Sequence, residues 1–313
     1  MVKLTALLKG DKRTIAQTIS IVENGGDNRM LKQIFKHTGA AYHVGITGPP
    51  GAGKSTLVNA IAKKLLAKKK KIGIIAVDPT SPFSGGALLG DRIRMTDLAL
   101  NKDVFIRSMA SRGSLGGLAQ TTQDVALVLD AAGMDFILIE TIGVGQVELD
   151  IAQVCDTTVV VLVPESGDSI QAMKAGLLEI ADIMVVNKGD REGCERLITE
   201  LKFAFEMRGQ KTGWDYPILE TIATEDGGTT ELVSAVEAHS AYLTKTGKLI
   251  DDRKAKMLLR VHELIEQKIR MHLREKVIRD EELLTLVDRI CKRQTDPYRV
   301  AERITRQIVK SER

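Results

Sequence analysis

Cysteine is scarce in this chain: Cys155, Cys194 and Cys291 are the only three in 313 residues, and no two have the C-x-x-C spacing. Neither a disulfide framework nor a zinc site is indicated, which suits a reducing compartment. Long apolar runs are also missing, and none reaches the ~18 residues that a membrane span needs. The opening MVKLTALLKGDKRTIAQTIS has no sustained apolar core and no small-residue cleavage site. The expected location is therefore cytoplasmic, as a cytosolic protein or a mature form without its transit peptide, with no membrane association. An excess of charge of one sign is lacking too. Forty-five basic against 41 acidic residues leave a net charge of +4, too mild to imply nucleic acid. The Lys68 to Lys71 run then reads as the solvated end of a helix.

The remaining composition, 43% hydrophobic and 27% charged, is that of a globular protein long enough for a full α/β core with accessory segments. Residues 1–40 carry helically spaced apolar positions (Ile15, Ile19, Ile21, Leu31, Ile34, Phe35) broken at NGGD, Asn24 to Asp27, and predict a helical extension. From 41 to about 246 short apolar runs alternate with longer helical ones. AYHVGIT, KIGIIAVD, DFILIE, TTVVVLV and IMVVNK have the β-branched, doubly apolar character of parallel strands covered on both faces, and DYPILET is a weaker sixth. Residues 247–313 predict helices only. Leu249 to Val277 contains no Pro or Gly and spaces Met257, Leu264 and Met271 seven apart beside Leu258 and Ile265. Such a stripe calls for another helix, either Glu281 to Cys291 and Pro297 to Val309 or a second subunit.

The most specific chemistry lies in GITGPPGAGKST. Gly48, Pro49, Pro50, Gly51, Ala52, Gly53, Lys54, Ser55 and Thr56 spell G-x-x-x-x-G-K-S-T directly after an apolar strand and before a helix. The glycines let backbone N–H groups wrap phosphates, Lys54 reaches the β and γ oxygens, and the Ser55 hydroxyl faces Mg²⁺.

The base is selected further on. VVNKGD places Asn187, Lys188 and Asp190 at a strand end, and a carboxylate there can accept from guanine N1–H and its 2-amino group together. Adenine offers no such pair, so the wrong base leaves a buried charge unsatisfied. The Lys188 stem can cover the base plane while Asn187 ties this loop to the phosphate loop. In ETIAT, Thr221, Ile222 and Ala223 sit where a further loop should close over the base, with the Ala223 N–H directed at guanine O6.

Carboxylates complete the set. Asp78 ends a strand, Asp91 follows thirteen residues later across a Gly/Ser/Pro-rich stretch, and Glu140 ends DFILIE. Asp78 can either surround Mg²⁺ or start a turn before Pro79, and Asp91 can either order metal and water or cap a helix beginning at Arg92. Gly143, just beyond Glu140, offers an N–H to the γ-phosphate. Gln146 can position water or serve a helix start or partner surface. No glutamine directly follows Gly143, so slow intrinsic turnover is expected.

GPPGAGKST, VDPTSPFSGGALLGDRIRM, IETIGVGQVE, PESGDSIQAMKAG, NKGD and DPYRVAERI together closely resemble the accessory GTPases of methylmalonyl-CoA mutase, a family once labelled lysine/arginine/ornithine transport ATPases. The likeness runs nearly end to end. It implies an α/β P-loop GTPase of the SIMIBI type, a mostly parallel sheet flanked by helices, with an N-terminal extension and a C-terminal dimerisation arm. It further implies a homodimer that binds GTP, GDP and Mg²⁺ and protects, loads or reactivates an adenosylcobalamin-dependent acyl-CoA mutase. By that resemblance Lys54, Asp91, Glu140 and Gln146 serve hydrolysis, Ser55, Asp78, Asp91 and Glu140 surround the metal, and Asp168 and Lys174 are candidates for coupling to the mutase. Two positions depart from the family pattern: Val147 replaces a serine, and Ile222 stands in the base loop where T-S-A is usual. A nickel-delivering GTPase would want a His/Cys cluster, whereas the five histidines are scattered. A targeting GTPase would want a Met-rich domain, whereas the ten methionines are dispersed. Asp190 argues against an ATP-dependent transport kinase.

Overall fold

A computed structural model of the chain describes residues 3–24, 28–79, 95–111, 117–141, 147–164, 176–208, 213–277 and 281–310. Seven strands form one sheet: β1 (Tyr42–Thr47), β2 (Ile72–Pro79), β3 (Val104–Ser111), β4 (Phe136–Thr141), β5 (Thr157–Leu162), β6 (Ile183–Asn187) and β7 (Ile218–Thr221). Their order is β3-β2-β4-β1-β5-β6-β7, and every pairing is parallel rather than merely most of them.

The apolar runs fill both faces by simple alternation. Val159, Val161, Ile183 and Val185 point to one side, against Leu57, Ile61 and Leu65 of helix Lys54–Ala67 and Leu232 and Val236 of helix Thr229–Lys245. Their neighbours Val160, Leu162, Met184 and Val186 point to the other, against Leu197 and Leu201 of helix Cys194–Arg208. Two-sided burial explains why these strands read as unbroken hydrophobic runs.

One strand, β3, is absent from the sequence reading. Its segment VFIRSMAS carries Arg107 and two serines, and as an edge strand it pairs only with β2. Arg107 bonds Glu23 of helix Lys12–Glu23, with Nε donating to Oε1 at 2.9 Å. The polar residue that breaks the run is thus matched by an acid from the N-terminal helices. Those helices are fused to the body of the fold: Leu7, Ile15, Ile19 and Ile34 share a core with Val125, Leu129, Ile137 and Ile139. Ile21 and Phe35, counted with that apolar set, are instead exposed. In the lysine run, Lys68 pairs with Glu237 and Lys70 lies 4.0 Å from Asp135, neutralised at the surface.

Helix Lys248–Val277 runs for 30 residues, about 45 Å. Its first turns are held by the sheet. Arg253 donates to both Asp156 oxygens at 2.8 and 2.6 Å and to the Gly39 and Ala41 carbonyls, while Lys256 bonds the Cys155 carbonyl. Burial pushes the Asp156 carboxyl up, but hydrogen bonds from Arg253 and the His43 N–H outweigh it and hold it below the usual range. The chain divides inside this helix into compact units Met1–Lys256 and Met257–Arg313, and these bonds lie within the first unit. In the second unit Leu286 and Val300 are buried, whereas Leu258, Ile265, Met271 and Leu284 are each more than half exposed. Among the described residues no helix is long and apolar enough to cross a membrane.

Candidate functional site

β1 occupies the centre of the sheet, with β4 on one side and β5 on the other, so the chain's crossovers diverge at its carboxyl end. A crevice at such a switch point is where ligands bind in parallel α/β sheets. The G-x-x-x-x-G-K-S segment emerges there. Gly48 has φ +138°, and a Cβ on it would overlap the Val161 carbonyl of β5, 3.0 Å from the carbon and closer to the oxygen. Only glycine lets the phosphate loop lie that tightly on the neighbouring strand. Gly53, at φ +82°, turns the chain into helix Lys54–Ala67, whose first N–H groups face the loop.

Lys54 is buried, and its ammonium donates to the carbonyls of Gly48 at 2.7 Å and Pro49 at 2.9 Å. A cation is therefore already folded inside the loop, and phosphate oxygens arriving there can take over from the two carbonyls. Pro50 and Thr56 are exposed, on the loop and on the helix's first turn.

Across the crevice Ser55 Oγ donates to Glu140 Oε1 at 2.6 Å. Glu140 is 1% exposed, at the end of β4 between Ile46 of β1 and Ala76 of β2 in the register. Beside it the Thr141 hydroxyl donates to that of Thr47 at 2.9 Å, tying β4 to β1 just below the loop. Glutamate suits the end of β4 because its extra methylene spans from the strand to a side chain on the helix.

Asn187 joins three loops. Its Nδ2 donates to the Ala52 carbonyl at 2.8 Å, and its Oδ1 accepts from the Thr221 hydroxyl at 3.0 Å and the Ala223 N–H at 3.2 Å. The tie to the phosphate loop matches the geometry expected of it. The Ala223 N–H, however, is directed at Asn187 rather than left open for a base. Lys188 sits in the left-handed region at φ +61° and is half-buried; Asp190 is exposed at the mouth. Ile222 bridges Gly227 through paired backbone bonds of 3.0 and 3.2 Å, closing the turn that holds Thr221 to Ala223. Asp226 in that turn pairs with Lys64 of the P-loop helix at 2.5 Å. The Lys64 hydrogen bond, followed by that from Thr229, holds its carboxyl below the usual range.

Asp91, Gly143, Gln146, Asp168 and Lys174 lie outside the described residues, as do the side chains of Asp78 and Val147. Asp78 is placed by its backbone alone, at the end of β2 beside Ala110 of β3. Sequence reasoning missed Lys64, Asp226 and Thr47. Each is an ordinary residue in an ordinary helix, turn or strand, and only the packing of distant segments gives it a partner.

A wholly parallel sheet, a phosphate loop at the end of its central strand and an N-K-x-D loop tied to it by Asn187 define a P-loop GTPase. The family description "Methylmalonyl Co-A mutase-associated GTPase MeaB" matches residues 15–277. A putative GTPase of Pyrococcus abyssi is 45% identical over 306 residues, 96% of this chain and 94% of that protein. The mitochondrial methylmalonic aciduria type A homolog of Mus musculus is 31% identical over 290 residues, 86% of this chain and 70% of that one. The crystal structure of a LAO/AO transport system kinase superposes with a TM-score of 0.74 at 26% identity, covering 97% of this chain and 96% of that one. The chain belongs to the MeaB family of methylmalonyl-CoA mutase-associated GTPases, and it is a GTPase, converting GTP and water to GDP and phosphate.

Proposed function

We propose that this GTPase is a chaperone for an adenosylcobalamin-dependent acyl-CoA mutase, methylmalonyl-CoA mutase or a close relative, protecting, loading or reactivating it according to the bound nucleotide. The observation that carries the reading is the Asn187 junction, which makes the phosphate loop and the base loop one unit, within a chain matched over most of its length by a mutase-associated family. In this reading Asp190 reads the guanine edge, the Lys188 stem covers the base, and the Thr221 to Ala223 turn closes the pocket.

The donor set fits Mg²⁺, which prefers hard oxygen ligands. Ser55 and Glu140 already meet on oxygen atoms at 2.6 Å, and a hydroxyl donating its proton to a carboxylate keeps its lone pairs turned outward. Ser55 would hold the ion, Asp78 and Asp91 would complete its surroundings, and Glu140 would orient the Ser55 hydroxyl. The ion supplies neutralisation of charge developing on the phosphates. Lys54 contributes the same kind of stabilisation from the protein side, its buried ammonium exchanging loop carbonyls for phosphate oxygens. Gly143 and Gln146, three and six residues beyond Glu140 in the sequence, would serve the γ-phosphate and the attacking water.

The homodimer forms through the C-terminal helices, where Leu258, Ile265, Met271 and Leu284 offer an uncovered apolar surface. The protein acts in the cytoplasm without membrane or nucleic acid. Single-turnover GTP hydrolysis with and without candidate acyl-CoA mutases tests the function. The cognate mutase should accelerate turnover about tenfold or more, and equal rates with every candidate would sink the chaperone reading. Light scattering of Leu258→Glu/Ile265→Glu tests the dimer: it should run as a monomer with its GTPase intact.

A further inference from the structure

The third position of the N-K-x-D motif is Gly189, and its backbone has no positive φ that would demand glycine. The space beside it is occupied by a side chain instead. A Cβ on Gly189 would fall 2.5 Å from Cγ and 2.8 Å from Cδ of Glu220, and nearer still to Oε1. The outer part of the Glu220 side chain, from Cγ to Oε1, lies over the backbone between Lys188 and Asp190, on the exposed face of β7. Below it, the Gly189 N–H donates to the Thr221 carbonyl at 3.0 Å, so the loop is fixed from the strand side as well.

Glu220 is itself held on two sides. The thiol of Cys194, the first residue of helix Cys194–Arg208 and 5% exposed, is hydrogen-bonded to its carboxylate. Burial, with the Glu220 charge and this hydrogen bond added, pushes the thiol up to about 11, so Cys194 stays a protonated donor. From the other side Gly228, at φ +70°, packs on the Glu220 backbone so closely that a Cβ would lie 3.2 Å from its carbonyl carbon and closer to its oxygen. Glu220 therefore stands between the N-K-G-D loop, the start of the following helix and the end of the base-closing turn.

We propose that Glu220 is a positioning residue for guanine recognition, its side chain pressing the Gly189 backbone into the register that presents Asp190 to the base, with the Cys194 thiol as its anchor. The proposal rests on the reading that Asp190 accepts hydrogen bonds from guanine. No bond to nucleotide is assigned to Glu220. Its effect is on where Asp190 sits, so it should bear on the two-pronged contact with N1–H and the 2-amino group more than on the phosphates.

Titration of GDP against inosine diphosphate, which lacks the 2-amino group, separates this from general loosening. In Glu220→Ala, GDP affinity should fall about tenfold while inosine diphosphate loses about threefold or less, narrowing the preference for guanine. A double-mutant cycle gives a second arm. Gly189→Ala should weaken GDP binding about tenfold in the parent chain and less than threefold when Glu220 is already alanine, because the obstructing side chain is gone. Cys194→Ser, which keeps a donor, should retain near-parental preference where Cys194→Ala loses part of it. Equal losses for the two nucleotides in Glu220→Ala, or independent costs for Gly189→Ala and Glu220→Ala, would overturn the proposal. Asp190→Ala serves as a control: if it leaves GDP affinity unchanged, the guanine reading itself fails and the proposal with it. A strong Asp190→Ala effect beside a silent Glu220→Ala overturns the positioning role alone.

Discussion

Ser55, at the first turn of the P-loop helix, and Glu140, at the end of β4, meet through a 2.6 Å hydrogen bond although they are 85 residues apart in sequence. The hydroxyl proton is committed to the carboxylate, and the carboxylate is buried where no bulk water screens it. The third acid of the site is thus a partner of the phosphate loop and not simply a longer substitute for aspartate. Glu140→Asp withdraws the carboxylate by roughly 1.5 Å. Single-turnover hydrolysis with Mg²⁺ should fall about 10- to 100-fold, and Ser55→Ala combined with it should cost little more than either alone. GDP affinity measured without Mg²⁺ should change less than about threefold in Glu140→Asp. An unimpaired rate would reduce the residue to a spacer.

Asn187→Asp keeps the shape of the junction but replaces the Nδ2 donor by an oxygen facing the Ala52 carbonyl. Repulsion there should separate the phosphate loop from β6. Binding of a fluorescent GDP analogue should weaken by about 100-fold or more, at a cost typical of a buried unsatisfied group. Thr221→Val, which removes one of the two donors to Oδ1, should cost only about threefold to tenfold.

Gly48→Ala places a methyl group into the Val161 carbonyl and forces an unfavourable φ. Relief requires β5 or the phosphate loop to shift, and the destabilisation should be about 3 kcal/mol or more. Differential scanning should show the transition lowered by roughly 6–12 °C, with GTPase activity lost at temperatures where the chain is still folded.

His239 is buried at the opposite end of the strands from the phosphate loop, its Nδ1 2.8 Å from the Thr157 hydroxyl and its ring 4.7 Å from that of Trp214. Burial lowers its pKa to about 4; the Asp156 charge opposes this, and Lys256 and Lys248 add to it. Between the ordinary value near 6.5 and about 4, the unfolded chain takes up a proton that the folded chain refuses. Stability should therefore fall as pH drops through that window, by on the order of 3 kcal/mol in total. Thermal melts from pH 7 to 4.5 should be flatter in His239→Gln than in the parent, and parallel curves would refute the assignment.

Local pattern made much of the fold readable. Five of the seven strands stand out because an inner parallel strand buries both faces, so Val, Ile and Leu follow one another with few polar breaks, whereas β7, at the sheet edge and mostly uncovered, gives only the weaker sixth signal. β3 failed that criterion through Arg107, whose partner Glu23 lies 84 residues away and cannot be read from the strand itself. The phosphate loop is legible because its chemistry is carried by backbone N–H groups, which need glycines at fixed spacing. The base loop is less so: Ala223 occupies the expected turn, but which acceptor its N–H meets depends on how β6 and β7 register.

What the sequence by itself determined is the set of parts: a nucleotide site built from contiguous motifs, a strand-and-helix alternation, and a C-terminal helical tract. These follow from interactions within a few residues of one another. Only the tertiary structure decided the relationships: Glu140 on Ser55, Asn187 on Ala52, Glu220 over Gly189, and Arg253 fixing the root of the last long helix to Asp156. The first three join segments that the parallel crossovers bring to the carboxyl end of the sheet, and the last joins segments at its opposite end. Hydrogen-bond directionality at such a meeting depends on strand register and helix placement, which the whole hydrophobic core sets at once and no local pattern encodes.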